Sequence, residues 1–173
     1  LEVETREEFG HWEMDTVKGK RGVTKSCLLV LSERKTRMEL IFKMANQGAA
    51  AVVETLDSLE RKWGEQFPIM FKTITVDNGV EFSDTEGIER SVFDSQKKRT
   101  SLFYCHAYSS WERGTNENIN KMIRRHIPKG VDFDDKTEND IIYIESWINS
   151  YPRRMFRFQT SKALFEAELK QFG

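Results

Sequence analysis

The sequence has few of the residues that cross-link secreted proteins or bind soft metals. Two cysteines occur among 173 residues, and Cys27 and Cys105 form no CxxC pair. Both lie in apolar stretches of strand character, so we expect buried thiols in a reducing compartment, against the alternatives of a disulfide or a metal site. The three histidines stand at scattered positions that match no zinc-ligand spacing.

Long apolar runs and several common catalytic loops are also missing. No run approaches the roughly 18 apolar residues that span a bilayer, and no signal peptide is visible, so we expect a cytoplasmic protein without a membrane partner. No GxSxG turn or Gly-rich phosphate loop occurs, which leaves serine hydrolysis and ATP chemistry unsupported. Because the chain begins at Leu1, we interpret residues 1–173 as one domain excised from a longer protein.

The net charge gives no indication of a nucleic-acid partner, since 27 basic and 28 acidic residues leave −1. The positive charges are clustered, however, and partners respond to local fields rather than to the average charge. Any one cluster alone is typical of a solvated surface. The clusters are Lys18 to Lys25, Arg34 to Arg37, Lys97 to Arg99, Lys121 to Lys129, and Arg153 to Arg157.

The order of apolar patterns predicts an α/β fold. Three short strand-like runs come first, and their short connections indicate an antiparallel meander. Helical and strand-like patterns then alternate. The predicted strands are 11–17, 27–32, 38–44, 72–76 and 102–107. The predicted helices are 48–63, 86–93, 115–127, 139–149 and 161–169. This order fits a five-stranded mixed sheet flanked by helices, the ribonuclease H-like arrangement.

Three acidic residues occupy positions in predicted strands and helices where a carboxylate has either a structural or a functional role. Asp15 lies within the first strand, on the same face as Glu13, and an acid inside an apolar strand is costly unless paired, hydrated or metal-bound. Asp77 ends the fourth strand, although the DNG sequence that it begins is by itself an ordinary turn. Glu117 lies in the first turn of its helix, where an acid also complements the positive helix end.

The helix that carries Glu117 has two distinct faces. Its apolar stripe consists of Ile119, Met122, Ile123 and Ile127. At 100° per residue, Glu117, Lys121 and Arg124 cluster on the opposite side. The charged face either stabilises the helix through ion pairs between residues four apart, or presents a metal ligand beside cations that bind phosphate.

Clustered carboxylates suit metal-dependent phosphodiester chemistry. Two divalent ions roughly 4 Å apart activate an attacking oxygen and stabilise a departing one. Hard cations such as Mg²⁺ bind a few carboxylates together with water and phosphate, whereas cysteine and histidine favour softer metals. The three acids therefore predict a magnesium-type site jointly, although each is a modest signal alone.

Three sequence blocks resemble the catalytic blocks of insertion-sequence transposases of the IS-thirty type, in the integrase-core branch of the DDE superfamily. They are GHWEMD (10–15), TITVDNGVEF (73–82) and YSSWERGTNEN (108–118). With RKTR at 34–37 and the segment 149–165, the resemblance covers about residues 10–166. The RGTNEN block is highly specific, whereas the DNG turn is weak without it.

The resemblance implies the ribonuclease H-like fold, Mg²⁺ or Mn²⁺ as cofactor with two ions expected, and DNA cleavage followed by strand transfer. It maps the catalytic and metal-binding trio onto Asp15, Asp77 and Glu117. We expect transposon ends and target DNA as partners and a homo-oligomer as the active form. The cations expected to contact DNA phosphates are Arg113, Lys121, Arg124 and Lys18.

Some features depart from the family pattern. Thirty-nine residues separate Asp77 from Glu117, more than is usual, and we assign the extra ones to a surface loop at 91–100. Ser110 and Ser161 stand where proline is usual. The family's N-terminal recognition region, of helix-turn-helix type, is absent from this chain, so the chain alone is expected to lack specificity for transposon ends.

Two other functions stay open at this point. A non-catalytic DNA-binding or assembly module from a decayed element would keep the fold and the basic clusters but would show no turnover. The intact acidic trio argues against it. A ribonuclease H-type nuclease would act on RNA–DNA hybrids, and the RGTNEN block disfavours that function.

Overall fold

The computed structural model describes residues 8–105 and 115–172, with side chains in the second range described from residue 118 onward. The strands are β1 (His11–Lys18), β2 (Cys27–Glu33), β3 (Glu39–Met44), β4 (Thr73–Val76) and β5 (Ser101–Tyr104). The helices are α1 (Ala49–Trp63), α2 (Phe67–Met70), α3 (Thr85–Glu89), α4 (Thr115–His126), α5 (Glu138–Asn149) and α6 (Ser161–Leu169). None of these helices is long and apolar enough to traverse a lipid bilayer.

The strands form one mixed sheet in the order β3-β2-β1-β4-β5. β1, β2 and β3 pair antiparallel, as short connections allow. β4 pairs parallel with β1 on one side and with β5 on the other, after crossovers that contain α1 and α3. The predicted five-stranded mixed sheet flanked by helices is confirmed.

One face of the sheet packs against α1, α2 and α6 around Trp12. The fully buried indole stacks on Phe71 with ring centroids 4.5 Å apart and meets the ring of Phe165 edge-on at 6.0 Å. Its N–H donates to the carbonyl of Met70 at 2.7 Å, so its polar atom is satisfied inside the core. The amphipathic pattern predicted for α1 is confirmed, because its apolar residues Val52, Leu56 and Leu59 are buried in this layer.

The other face packs against α4 and α5. Ile119 and Ile123 of α4 and the following Ile127 are buried together with Val17 of β1, and Met122 is half-buried beside them. The apolar stripe predicted for this helix is therefore confirmed. This stripe packs α4 against β1 near the carboxyl end of the strand, which is also the end of the sheet where the parallel strand β4 ends.

The segment between α3 and β5 differs from its prediction. α3 ends at Glu89 rather than near 93, and the predicted surface loop at 91–100 is exposed only at 93–98. Arg99 and Thr100 are buried, so the prediction is wrong for the end of the segment. The physical reason is a set of acceptors that surrounds the Arg99 guanidinium, with carbonyls of α3 and carboxylates of α1.

Both cysteines are free thiols. Cys27 is buried in β2, and this burial, together with the negative charge of Glu81, raises the pKa of its thiol to about 11. Cys105 follows β5 and is only half-buried, so the expectation of burial holds for Cys27 alone.

Candidate active site

Asp15 and Asp77 lie on adjoining parallel strands. In the pairing of β1 with β4, His11 is opposite Thr73 and Glu13 is opposite Thr75. Continued by two residues, to the position directly after β4, the same register would set Asp15 opposite Asp77. Neighbouring strands lie about 4.8 Å apart, so the two backbones are close enough for their carboxylates to share an ion.

The two aspartates also share a face of the sheet. Side chains alternate along a strand, and Met14 of β1 is buried on the α1 side whereas Val17 is buried on the α4 side. Asp15 therefore faces the layer that contains α4. In β4, Ile74 and Val76 belong to the α1 side, which gives Asp77 the same side as Asp15.

Local hydrogen bonds orient both carboxylates. The backbone N–H of Thr16 donates to Asp15 Oδ1 at 2.9 Å, and the backbone N–H of Gly79 donates to Asp77 Oδ1 at 2.8 Å. The second bond is the turn chemistry that the DNG sequence predicts. Both side chains are half-buried at the rim of the sheet. The turn interpretation of Asp77 and its proposed functional role are therefore compatible.

Glu117 lies in the first turn of α4, but its side chain lies outside the described residues. Its helix is fixed against β1 at two points downstream, by the burial of Ile119 with Val17 and by Arg124. Among the described side chains, no three of histidine, cysteine, aspartate or glutamate form a metal-binding group. Convergence of Glu117 with the two aspartates stays a prediction.

The cations predicted to contact DNA occupy different environments. Lys18 and Lys121 are exposed, whereas Arg124 is half-buried over the ring of Phe133, 5.4 Å from its centroid. Arg124 Nη2 donates to the carbonyl of Lys18 at 2.7 Å, and burial lowers the pKa of this guanidinium. Arg124 thus joins α4 to the end of β1, and its contact with DNA stays a prediction. Arg113 lies outside the described residues.

Sequence comparison identifies relatives over most of the chain. It is 37% identical over 169 residues to the probable transposase of the insertion-like element IS1161 of Streptococcus salivarius, covering 95% of this chain and 44% of that protein. It is 36% identical over 169 residues to the transposase of IS4351 of Bacteroides fragilis, covering 98% and 48%. It is 29% identical over 164 residues to transposase InsI of IS30C of Escherichia coli, covering 95% and 40%. The chain is a homologue of IS30-family transposases.

The IS30-type resemblance inferred from the three sequence blocks is therefore confirmed. The chain spans less than half the length of these transposases. No protein-family model matches it.

Solved structures agree on the fold of this transposase homologue. The catalytic core domain of BIV integrase superposes with a TM-score of 0.65 at 13% identity, covering 96% of this chain and all of that one. A chain of the simian T-cell lymphotropic virus intasome, solved in complex with the PP2A regulatory subunit B56 gamma, gives 0.60 at 16% identity over 80% of this chain and 48% of that one. The predicted ribonuclease H-like fold is confirmed.

Glu81 is a further acid beside the two aspartates, and sequence reasoning gave it no role. Its carboxylate is about nine-tenths buried. Glu81 Oε1 accepts from Thr16 Oγ1 at 2.9 Å and from Gln47 Nε2 at 3.2 Å, and Gln47 also donates to Thr16 Oγ1 at 3.2 Å. Because Thr16 follows Asp15 directly, this triangle ties the turn after Asp77 to the strand that carries Asp15.

Gly79 explains how Glu81 and Asp77 approach each other. A Cβ on Gly79 would lie 2.6 Å from Glu81 Oε2 and 2.9 Å from Asp77 Oδ1, both closer than real Cβ contacts. The two oxygens therefore flank the bare Cα of this glycine. The fully buried ring of Phe82 anchors the turn from the core side. The DNGVEF block contained a sequence signal for this role of Glu81. The acid stands between the turn that follows the strand and the aromatic residue Phe82, which is buried in the core.

The sheet also buries acids behind Asp15. Glu13 is fully buried, with Arg34 Nη2 3.8 Å from its Oε1. Burial raises the pKa of Glu39 in β3 well above the usual range, although Ser32 Oγ donates to it at 2.6 Å. This burial favours the uncharged form of the Glu39 carboxyl.

Proposed function

We propose that residues 1–173 form the catalytic core of a DNA transposase, which cleaves and transfers DNA strands with divalent metal ions. The observation that carries this proposal is the position of Asp15 within β1 and of Asp77 directly after the adjoining β4, on the face that packs α4, in a homologue of transposases. Glu117, in the first turn of α4, is the proposed third acid.

The donor set fits the proposed metal. Asp15 and Asp77 offer hard carboxylate oxygens at a rim where water and phosphate can complete an octahedral shell, which suits Mg²⁺ or Mn²⁺. When bound, two such ions would stabilise the charges that develop on the attacking and departing oxygens. The proposed ligands are Asp15, Asp77 and Glu117.

The proposed reaction consists of two in-line displacements at phosphorus. In the first, a water oxygen bonds to phosphorus at the transposon end, the P–O3′ bond breaks, and the departing oxygen takes a proton to become a 3′-hydroxyl. In the second, that hydroxyl loses its proton and attacks a target-strand phosphorus, releasing a new 3′-hydroxyl. We assign Lys18, Arg113, Lys121 and Arg124 to holding the phosphates, which sets register rather than sequence.

Partners follow from the same proposal. Transposon ends and target DNA are the proposed substrates, and copies of this chain are the proposed assembly partners. The intasome chain with the same fold supports an assembled form.

The deciding experiment is a nicking and strand-transfer assay on end-labelled duplex DNA with Mg²⁺ or Mn²⁺, with EDTA as the control. We expect a nicked product with a 3′-hydroxyl and, later, joined products. An RNA–DNA hybrid tested in parallel separates a ribonuclease H-type activity, which would cut the hybrid preferentially. Binding of DNA without product in either metal would favour the non-catalytic module.

Divalent metal is expected to stabilise the fold. The clustered carboxylates repel one another without a cation, and a ligand that binds only the folded state at about 100 times its Kd contributes about 2.7 kcal/mol. For a chain of this size that corresponds to a rise in Tm of about 5–10 °C. Thermal unfolding with millimolar Mn²⁺, against KCl of equal ionic strength, measures it. No rise with Mn²⁺ would contradict a preformed site.

Replacing Glu81 with glutamine is expected to lower nicking by about 10–100-fold, the usual loss when a group that orients metal ligands is changed. Glutamine keeps the size of the side chain but loses the charge that accepts from both Thr16 and Gln47. The Mn²⁺ concentration for half-maximal activity should rise as well. Exposed Glu86 provides the matched control, as Glu86→Gln. Equal activity and equal metal requirement in both variants would remove Glu81 from the site.

A further inference from the structure

Two basic clusters that are remote in sequence meet in one cleft beside α4. Lys121 and Arg125 project from α4, and Arg153 and Arg154 come from the segment after α5. Together they line a cleft of about 380 Å³, with Met122 and Met155 among its apolar residues. Each cluster alone was typical of a solvated surface, and the fold is what brings them together.

The charge of Arg153 interacts with the buried carboxyl of Glu39, which is not among the residues that line the cleft. None of the four cations in the cleft forms a salt bridge within the described part of the chain, and no acidic residue is among those that line the cleft. Other cations are paired, for example Lys35 with Glu168. A local surplus of positive charge on a chain of net charge −1 indicates a surface that attracts an anionic partner.

The backbone that presents Arg153 and Arg154 is held in a defined shape. The carbonyl of Arg153 accepts from the N–H of Phe156 at 3.0 Å and from that of Phe158 at 2.8 Å, and the N–H of Arg153 donates to the carbonyl of Gln159 at 3.1 Å. Arg157 and Phe158 both adopt positive φ, at 53° and 67°. Such conformations are costly for these residues and persist only where the surroundings enforce them, so the backbone that carries Arg153 and Arg154 is pre-organised before a partner binds.

The partner that fits is the backbone of DNA. We propose that this cleft binds DNA phosphates next to the candidate active site, with Lys121, Arg125, Arg153 and Arg154 as the contacts. Arg125 and Arg154 are exposed, and Arg153 Nη2 lies 3.8 Å from Met122 Sδ, which holds its guanidinium at the cleft wall. The half-exposed ring of Tyr151 lies at the rim of the cleft beside Trp147, and the two ring centroids are 5.2 Å apart.

The cleft is close to the proposed catalytic residues in the chain. Because Glu117 lies one helical turn before Lys121, DNA bound in the cleft would pass these residues.

This inference rests on the proposed function for its substrate class, and its test separates the two. The double variant Arg125→Gln/Arg154→Gln removes two charges from the cleft. The control, Arg61→Gln/Lys97→Gln, removes two exposed charges from outside it. Binding of a labelled duplex of arbitrary sequence is measured in EDTA, so that no turnover contributes, across a series of salt concentrations.

The cleft variant is expected to bind about tenfold more weakly at low salt, and its slope of log affinity against log salt should shrink by about 2, since each phosphate contact contributes about 0.9. The control should match the parent in both quantities. Arg125→Lys/Arg154→Lys should keep the slope, because lysine also neutralises phosphate. Equal slopes for the cleft variant and the control would overturn the proposal. Displacement of the duplex by polyglutamate as readily as by unlabelled DNA would also overturn it, in favour of an acidic protein partner.

The nicking assay makes the two failures distinguishable. If the parent protein nicks DNA while the cleft variant keeps its salt slope, the cleft proposal fails and the catalytic one stands. If the parent nicks nothing in Mg²⁺ or Mn²⁺ while the cleft variant loses its slope, the DNA-binding cleft stands and the catalytic proposal fails.

Discussion

Replacing Asp77 with asparagine is expected to lower metal-dependent nicking by roughly 10³-fold or more, a loss of about 4 kcal/mol of transition-state stabilisation. The amide oxygen can still accept the hydrogen bond that Gly79 N–H donates to Asp77 Oδ1, so the turn should keep its shape. The charge that would bind a divalent cation is lost. Asp15→Asn is expected to behave alike, because its retained oxygen can still accept from Thr16 N–H.

The losses of nicking activity caused by the two substitutions should not be additive. If both carboxylates serve the same ions, either change disables the site, and the double variant should be only slightly less active than each single variant. Nicking rates of the parent, the two single variants and the double variant on the same labelled duplex measure this. Asp135→Asn, at an exposed aspartate, is the matched control and should keep the parental rate. Full activity of the Asp77→Asn variant would contradict the assignment of Asp77 as a catalytic metal ligand.

Much of this site could be predicted from short-range sequence patterns. Apolar alternation locates β1 and β4, and period two puts Asp15 on the side of the sheet opposite to Trp12. The apolar steps of α4 predict which of its faces is buried, since 119, 123 and 127 recur at one turn each. These patterns depend on residues within one element, which is why they are legible without a structure.

The juxtaposition of Asp15 with Asp77 could not be predicted from the residues alone. Parallel strands are joined by long crossovers, and nothing local in β1 or β4 specifies that residue 15 lies opposite residue 77. The joint occurrence of the three acids on the predicted strands and helix suggested a shared metal site, and the family resemblance was what mapped them to one trio. Glu81 was missed for the same reason, because its partners Thr16 and Gln47 are 65 and 34 residues away.

The cluster Lys97-Lys98-Arg99 shows where local charge patterns mislead. Three consecutive cations are typical of a solvated surface, and Lys97 and Lys98 are indeed exposed. Arg99 is only 1% exposed, since its planar guanidinium matches acceptors that the fold brings around it. Those acceptors belong to α1 and α3, about 40 and 11 residues earlier in the chain. A composition-based interpretation cannot separate the buried cation from its exposed neighbours.

Replacing Arg99 with methionine is therefore expected to destabilise the fold by about 3–5 kcal/mol, the usual cost of removing one partner from a buried ion pair. Its guanidinium donates to Asp57 Oδ1 at 2.6 Å, to Glu60 Oε1 at 3.2 Å, and to the carbonyls of Gly87 and Ile88 at 2.7 and 2.9 Å. Methionine fills a similar length but removes all four of these bonds. Asp57 then keeps Arg90 as a donor, and Glu60 keeps Val92 N–H and Ser91 Oγ. Urea denaturation monitored by circular dichroism measures the loss.

Lys97→Met is the matched control, because Lys97 is exposed and its backbone, which the substitution keeps, bonds to Asp94 and Ser91. It should change the unfolding free energy by less than about 0.5 kcal/mol. Arg99→Lys should recover only part of the loss, since a single ammonium cannot meet acceptors on two sides as the guanidinium does. Arg99 precedes β5, which pairs with β4, the strand that Asp77 follows, and its guanidinium donates to residues of α1 and α3. Below its unfolding transition, the folded Arg99→Met variant should therefore nick DNA at the parental rate. An unfolding free energy equal to that of Lys97→Met would contradict the structural role of Arg99.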